Sequence, residues 1–162
     1  ISNWPVQNVS VTFETTKTMP LTFKHRIPLL TYATNRYNLG HYLRDNSRDY
    51  YVALSVNPIS RLRLDASYLY AAHGNEYEYE KGETPVDEHP YMENITWDNE
   101  TISLKASYEF SSNAYLFANF TYRNIQGYEI DGKTADFYLQ MFTPEMFHGE
   151  TWTAQVGFNL GF

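Results

Sequence analysis

Residues 101–123 read TISLKASYEFSSNAYLFANFTYR. Ile102, Leu104, Ala106, Tyr108 and Phe110 alternate with Thr101, Ser103, Lys105, Ser107 and Glu109. After Ser111-Ser112-Asn113-Ala114, the side chains Leu116, Ala118, Phe120 and Tyr122 alternate with Asn119, Thr121 and Arg123. A period of two puts successive side chains on opposite faces of a strand, and a short polar break between two such runs predicts a hairpin.

The same pattern recurs outward from this hairpin. In 50–56 the apolar set is Tyr50, Val52, Leu54 and Val56. In 61–70 it is Leu62, Leu64, Ala66, Tyr68 and Tyr70, set against Arg63, Asp65 and Ser67, with Asn57-Pro58-Ile59-Ser60 as the turn between the runs. Val9, Val11 and Phe13 mark an earlier strand, which resumes after Pro20 in LTFKHR on this reading. Trp152, Ala154, Val156, Phe158, Leu160 and Phe162 mark the last. Six strands follow, near 8–17, 48–57, 61–71, 101–110, 114–123 and 151–162.

Composition narrows the class. Of the 162 residues, 43% are hydrophobic and 17% aromatic, yet the mean hydropathy is −0.52, so large apolar side chains occur without long apolar runs. No stretch reaches the roughly 18 apolar residues that a spanning helix needs, but barrel strands expose only alternate residues to lipid and escape that test. The absence of cysteine removes disulfides and thiolate chemistry, and a net charge of −7 argues against nucleic acid as a partner. A start at Ile1, without Met or a signal-peptide pattern, fits a processed chain or part of something longer, and six strands are fewer than the eight of the smallest common membrane barrel, so a C-terminal portion of a longer protein is expected.

Connections alternate in length: 57–60 and 111–114 are short, while 28–47, 72–100 and 124–150 are long. Arg63, Asp65, Lys105, Glu109 and Arg123 lie opposite the apolar stripes, where a dry core would require each to be paired. Tyr50, Tyr68, Tyr70, Tyr108, Phe110, Tyr122, Trp152 and Phe162 collect near strand ends, as interfacial rings do. The expected fold is therefore all-β: an antiparallel transmembrane β-barrel of which 1–162 is a C-terminal part of about six strands, with long external loops and short periplasmic turns. A soluble sandwich or lipocalin-like barrel is the alternative, with the same stripes turned into a common core.

The final residues QVGFNLGF, through Gln155, Gly157, Leu160 and Phe162, resemble the assembly signal of bacterial outer-membrane barrels. That resemblance implies the barrel-insertion machinery and outer-membrane lipid as partners. The run TFKHRIPLLTYATNRYNLGHYLRDNSRDYYVALSVNPISRLRLDASY is similar to the Wzi-like capsule assembly family of Bacteroidetes. That similarity implies a non-enzymatic surface protein that holds capsular polysaccharide. A TonB-dependent transporter barrel, a porin or a structural subunit of an outer-membrane complex would show similar strands. In a channel, Arg63, Asp65, Lys105, Glu109 and Arg123 would line the lumen.

Within the connection 72–100, Tyr77, Tyr79, Tyr91 and Trp97 stand among many carboxylates, a mixture suited to stacking on sugar rings and accepting their hydroxyl hydrogen bonds. The carboxylates lack the Asp/Asn/Gly order of a calcium loop and read as a solvated acidic surface. His25, His41, His73, His89 and His148 show no metal-ligand spacing, and no catalytic motif or cofactor fingerprint occurs. The expectation is no enzyme, no metal and no cofactor.

Overall fold

The computed structural model describes residues 7–25, 27, 33–34, 37–78 and 89–160. One antiparallel sheet of six strands dominates, in the order β1 (Val9–Thr18), β4 (Ser47–Ile59), β5 (Leu62–His73), β6 (Trp97–Ser111), β7 (Ala114–Gly127) and β8 (Gly149–Leu160). Two-residue strands β2 (Ala33–Thr34) and β3 (Tyr37–Asn38) pair with each other. Among the described residues one α-helix, α1 (Ala135–Phe142), and a 3-10 turn at Glu145–Phe147 lie in the last long connection. Each large-sheet strand pairs with its successor, and the sheet is open, not closed on itself.

All six strands expected from alternation form. The stretch after Pro20 does not resume as a strand. Leu21 is buried with φ 61 in a turn, and Lys24 N donates to Leu21 O. Strands β6 and β7 run further than expected, to Trp97 and Gly127, because their ladder continues through Asn99–Ile125 to Trp97–Gly127. The second short turn falls within the expected 111–114, whereas the first comes later than the expected 57–60, at Ser60-Arg61, because β4 runs on to Ile59. Asn113 adopts φ 61 between the paired Ser111 and Ala114, and the register slips between Val56 and Ile59, where Pro58 can donate no ladder bond.

Register converts alternation into two faces. One carries the rows Val9–Val56–Leu64–Ala106–Ala118–Val156, Val11–Leu54–Ala66–Leu104–Phe120–Ala154 and Phe13–Val52–Tyr68–Ile102–Tyr122–Trp152. The other carries Ser10–Ser55–Asp65–Lys105–Asn119–Gln155 and Thr12–Ala53–Ser67–Ser103–Thr121–Thr153. Nothing among the described residues covers the apolar face: Val156 is 83% exposed, Phe158 69% and Phe13 65%.

Burial is concentrated at one end of the sheet, where all three long connections meet. Leu43, Ala71, Trp97, Ile125, Tyr138 and Leu139 form the cluster, and Ile130, Phe142 and Phe147 pack against it. Ala71, Ile125 and Trp97 belong to the polar face, so the core arises where the 128–148 connection folds α1 back over that face. Helix α1 starts at Thr134, whose Oγ1 accepts from the Phe137 N–H, with Asp136 in its first turn. Its adjacent buried residues Tyr138 and Leu139 face the sheet, and the Tyr138 hydroxyl donates to Ile130 O.

Close approach of α1 depends on Gly127. A Cβ there would lie 2.5 Å from Ala135 O and 2.9 Å from Leu139 Cγ. Gly127→Ala should therefore lift α1 from the sheet at a cost of about 1–3 kcal/mol. Protease cleavage within 128–148 should become faster while far-UV circular dichroism of the sheet is kept; unchanged cleavage would show that α1 is not held there.

Candidate functional site

Three surfaces carry the chemistry: the apolar face, the polar face and the cap built by the long connections. On the apolar face, Ala66, Ala106, Ala118 and Ala154 floor a shallow open trough of about 640 Å³, walled by larger side chains such as Leu54, Leu104 and Val156. Cross-strand neighbours give it its shape, since small residues on four adjacent strands fall in two consecutive rows.

The five charges expected on the opposite side all lie on the polar face by register. Arg63 Nε is 3.0 Å from Asp65 Oδ2, the Ser55 hydroxyl also donates to Asp65, and Lys105 sits directly across the ladder from Asp65. Glu109 pairs in register with Tyr115, while the Arg123 guanidinium stands 4.9 Å over the Phe147 ring, beneath the 3-10 turn. A hydroxyl row, Thr12, Ser67, Ser103, Thr121 and Thr153, separates Arg123 from the lower charges. Part of this face forms a polar hollow of about 280 Å³ bordered by Tyr51, Ser55, Arg63, Asp65 and Lys105.

The aromatic residues expected to meet a sugar do not share one platform. Trp97 is buried at 3% exposure, its ring 5.1 Å from Phe142 and its Nε1–H donating to Thr143 Oγ1 at 3.2 Å, so no indole face is presented to a ligand. Tyr77 packs its ring 4.6 Å from His89 and donates its hydroxyl to Pro90 O. Tyr91 donates to Ser47 O and carries the Lys17 ammonium 4.0 Å above its ring. Tyr79 lies outside the described residues, as does Phe162 of the assembly signal. Gln155 and Gly157 are on the polar face and Leu160 is exposed on the apolar one. The Phe117 ring covers Gly157, where a Cβ would lie 2.3 Å from Cζ.

The cap itself is a polar core that alternation could not reveal. Asn46 and Asn75 act as clamps. Asn46 Nδ2 donates to Asn75 O, its Oδ1 accepts from Met92 N, and Asn75 in turn accepts from Asn94 N and donates to Asp131. His73 is fully buried, with Nδ1 3.0 Å from Thr96 Oγ1 and Nε2 3.2 Å from Glu76 Oε1. Lys24 reaches across from the first connection to Glu76 Oε2 and Glu78 Oε1, both at 2.9 Å, and donates to Tyr77 O. Glu76 is thus an internal ion-pair partner, not part of a solvated acidic surface, whereas Glu78 stays exposed. The sequence signal for this tie is faint: one lysine, 52 positions upstream, facing an acidic run.

Electrostatics follow from the geometry. Burial opposes charge on Glu76, yet His73 and Lys24 outweigh it and hold the carboxyl at about 2. Burial likewise opposes the Lys24 charge, and Glu76 with Glu78 overcomes it, keeping the ammonium above its usual range. Asp45 goes the other way: burial pushes its carboxyl up in spite of the Phe23 N–H at 2.6 Å. Tyr42 is raised by burial and by Asp49, to which its hydroxyl donates. Among the described residues no group of three or more His, Asp or Glu side chains is placed to hold a metal.

Compared with family models, curated proteins and solved structures, the chain matches none.

A folded-state Glu76 pKa below the ordinary 4.5 adds stability that is present above pH 4.5 and lost as pH falls through about 2. Its size is roughly 3 kcal/mol at neutral pH. Glu76→Gln should be less stable at neutral pH and should flatten the acid limb between those values. Fluorescence of Trp97, with Trp4 and Trp152 replaced by Phe, reads the cap directly, and an acid limb identical to that of the parent would contradict this role.

Proposed function

We propose that the chain forms part of the wall of a bacterial outer-membrane β-barrel whose long connections face outward and hold a surface polysaccharide, as in capsule assembly. The observation that carries this reading is the uncovered apolar face, backed by a polar face, with every long connection at one end. On β1, β4 and β5 the rows from Leu62 up to Thr15–Tyr50–Tyr70 span about 26 Å along the strands, or about 20 Å once tilted about 40°, whereas on β6 to β8 that top row is Glu100–Asn124–Glu150 and the apolar rows below it span about 20 Å along the strands. A membrane barrel's apolar band is about 25 Å tall. Tyr50, Tyr68, Tyr70, Tyr122 and Trp152 lie in the two upper rows and Tyr108, Phe110 and Phe158 near the lower edge, where rings mark headgroup levels.

Binding is favoured over open passage because α1 and the 3-10 turn fold over the polar face at the long-connection end. A wall for an open pore would leave that face clear. A transport role, as a porin or the barrel of a TonB-dependent receptor, is the second reading, supported by Arg63, Asp65, Lys105, Glu109 and Arg123 sharing one face. Insertion would require outer-membrane lipid and the barrel-insertion machinery. Other subunits of an outer-membrane complex are candidate partners at the two open sheet edges.

Two tests separate these readings. Leu104→Arg, in mid-band on the apolar face, should cost about 2–4 kcal/mol in a bilayer. Ser103→Arg on the polar face should be tolerated. Heat-modifiable mobility in outer-membrane fractions reads both, and equal effects would remove the membrane reading. For the ligand, Tyr77→Ala combined with Tyr79→Ala should reduce polysaccharide retention several-fold with the sheet intact, whereas undiminished retention together with conductance in planar bilayers would favour transport.

A further inference from the structure

The upper margin of the apolar face holds an arrangement that a sheet normally avoids. Lys17 on β1 and Arg48 on β4 are direct cross-strand partners, and both point to the apolar side, one row beyond Thr15–Tyr50–Tyr70. Like charges directly opposite each other, with Cβ atoms about 5 Å apart, destabilise strand pairing. Among the described residues neither cation forms an ion pair. Arg48 Nε is in addition buried without a hydrogen-bond partner among those residues, and an unsatisfied charged donor is costly.

The surroundings hold the two charges in place instead of dispersing them. Tyr91, from the 74–96 connection, is fixed by its hydrogen bond to Ser47 O and carries the Lys17 ammonium on its ring face. A ring pedestal orients a cation but leaves its charge free for an anion. Next along the same row stands Ala72, and beyond it Asp98 and Gln126; in the row below are Glu100 and Glu150. The cationic spot is thus confined to β1 and β4, and the β6 to β8 part of the same margin is acidic.

We propose that Lys17 and Arg48, with Tyr91, form a site for the phosphate of a membrane-lipid headgroup at the long-connection end of the sheet. An anion between the two side chains would convert their repulsion into two charge-assisted contacts and supply the acceptor that Arg48 Nε lacks. The lipid source follows from position. Past the intervening Thr15–Tyr50 row, Phe13, Val52 and Leu54 continue on the same face and would take the acyl chains of the same molecule, all three exposed. Free phosphate would gain nothing from that continuity.

This inference rests on the membrane reading, and the test separates the two. The full-length protein is placed in phosphate-free maltoside micelles containing either bis-phosphorylated lipid A or the same lipid after dephosphorylation, and thermal unfolding of the sheet is followed. The phosphorylated lipid should raise the midpoint by several degrees, on the order of 1 kcal/mol in a domain of this size. Lys17→Ala with Arg48→Ala should abolish the increment, while Arg61→Ala, a cation at the opposite end, should keep it. Failure of the protein to enter micelles as a folded, heat-modifiable species would overturn the membrane reading and this site with it. Folded insertion with no phosphate-dependent increment, or an increment kept by the double variant, would overturn the site alone. An equal shift from inorganic phosphate would overturn its assignment to a lipid.

Discussion

Strict alternation across six paired strands forces two faces of opposite character onto one sheet, and the rest of the molecule answers to that constraint. The apolar rows have nothing to pack against among the described residues, and no core forms on that face there. Whatever covers them must be apolar and extended over the whole sheet. Lipid meets both conditions without requiring a complementary protein surface. The polar rows suit water equally well, with hydroxyls and paired charges where a sandwich interior would need dry side chains.

A sheet with no internal core needs its stability from elsewhere. Ladder hydrogen bonds supply part, and cross-strand neighbours such as Tyr122 and Trp152, with ring centres 4.5 Å apart, supply more. The remainder is concentrated in the cap. There Leu43, Trp97, Ile125, Tyr138 and Leu139 bury apolar surface in the ordinary way. Asn46, Asn75, Thr96 and the Lys24–Glu76–His73 chain meanwhile tie connections that are far apart in sequence. The polar ties fix the connections to one another, and the apolar cluster fixes them to the sheet. Both sit outside the band that would lie in lipid, which leaves the strands free to keep their simple alternation.

This division explains what could be read from the sequence. A period of two is local, so each of the six strands announced itself within about ten residues, and the facing of Arg63, Asp65, Lys105, Glu109 and Arg123 followed from counting alone. The cap depends on pairs such as Lys24 with Glu76, whose approach no local pattern encodes. Trp97 illustrates the difficulty. On the polar side of its strand, among carboxylates, an indole reads as an exposed sugar platform, but α1 and Phe142 come back over it. Helix α1 did leave a trace, since Thr134 caps it and Tyr138, Leu139 and Phe142 fall on one helical stripe. Eight residues inside a long connection were too few for that trace to outweigh the prevailing strand pattern.

The contrast between the two ends of the sheet bears on what such a protein can do. At the short-turn end the chain spends two residues on the Ser112-Asn113 loop and carries no buried cluster beyond Ala114 among the described residues. At the other end, three long connections converge, bury charge, and keep tyrosines such as Tyr77 and Tyr91 partly exposed. Buried ion pairs contribute little net stability relative to apolar packing, yet breaking one is expensive, so they hold a particular arrangement more than they strengthen it. An arrangement held in that way, on one end of a sheet whose two faces differ in polarity, is suited to presenting a fixed surface beyond that end. A loosely tied set of loops would give the same sheet no such surface.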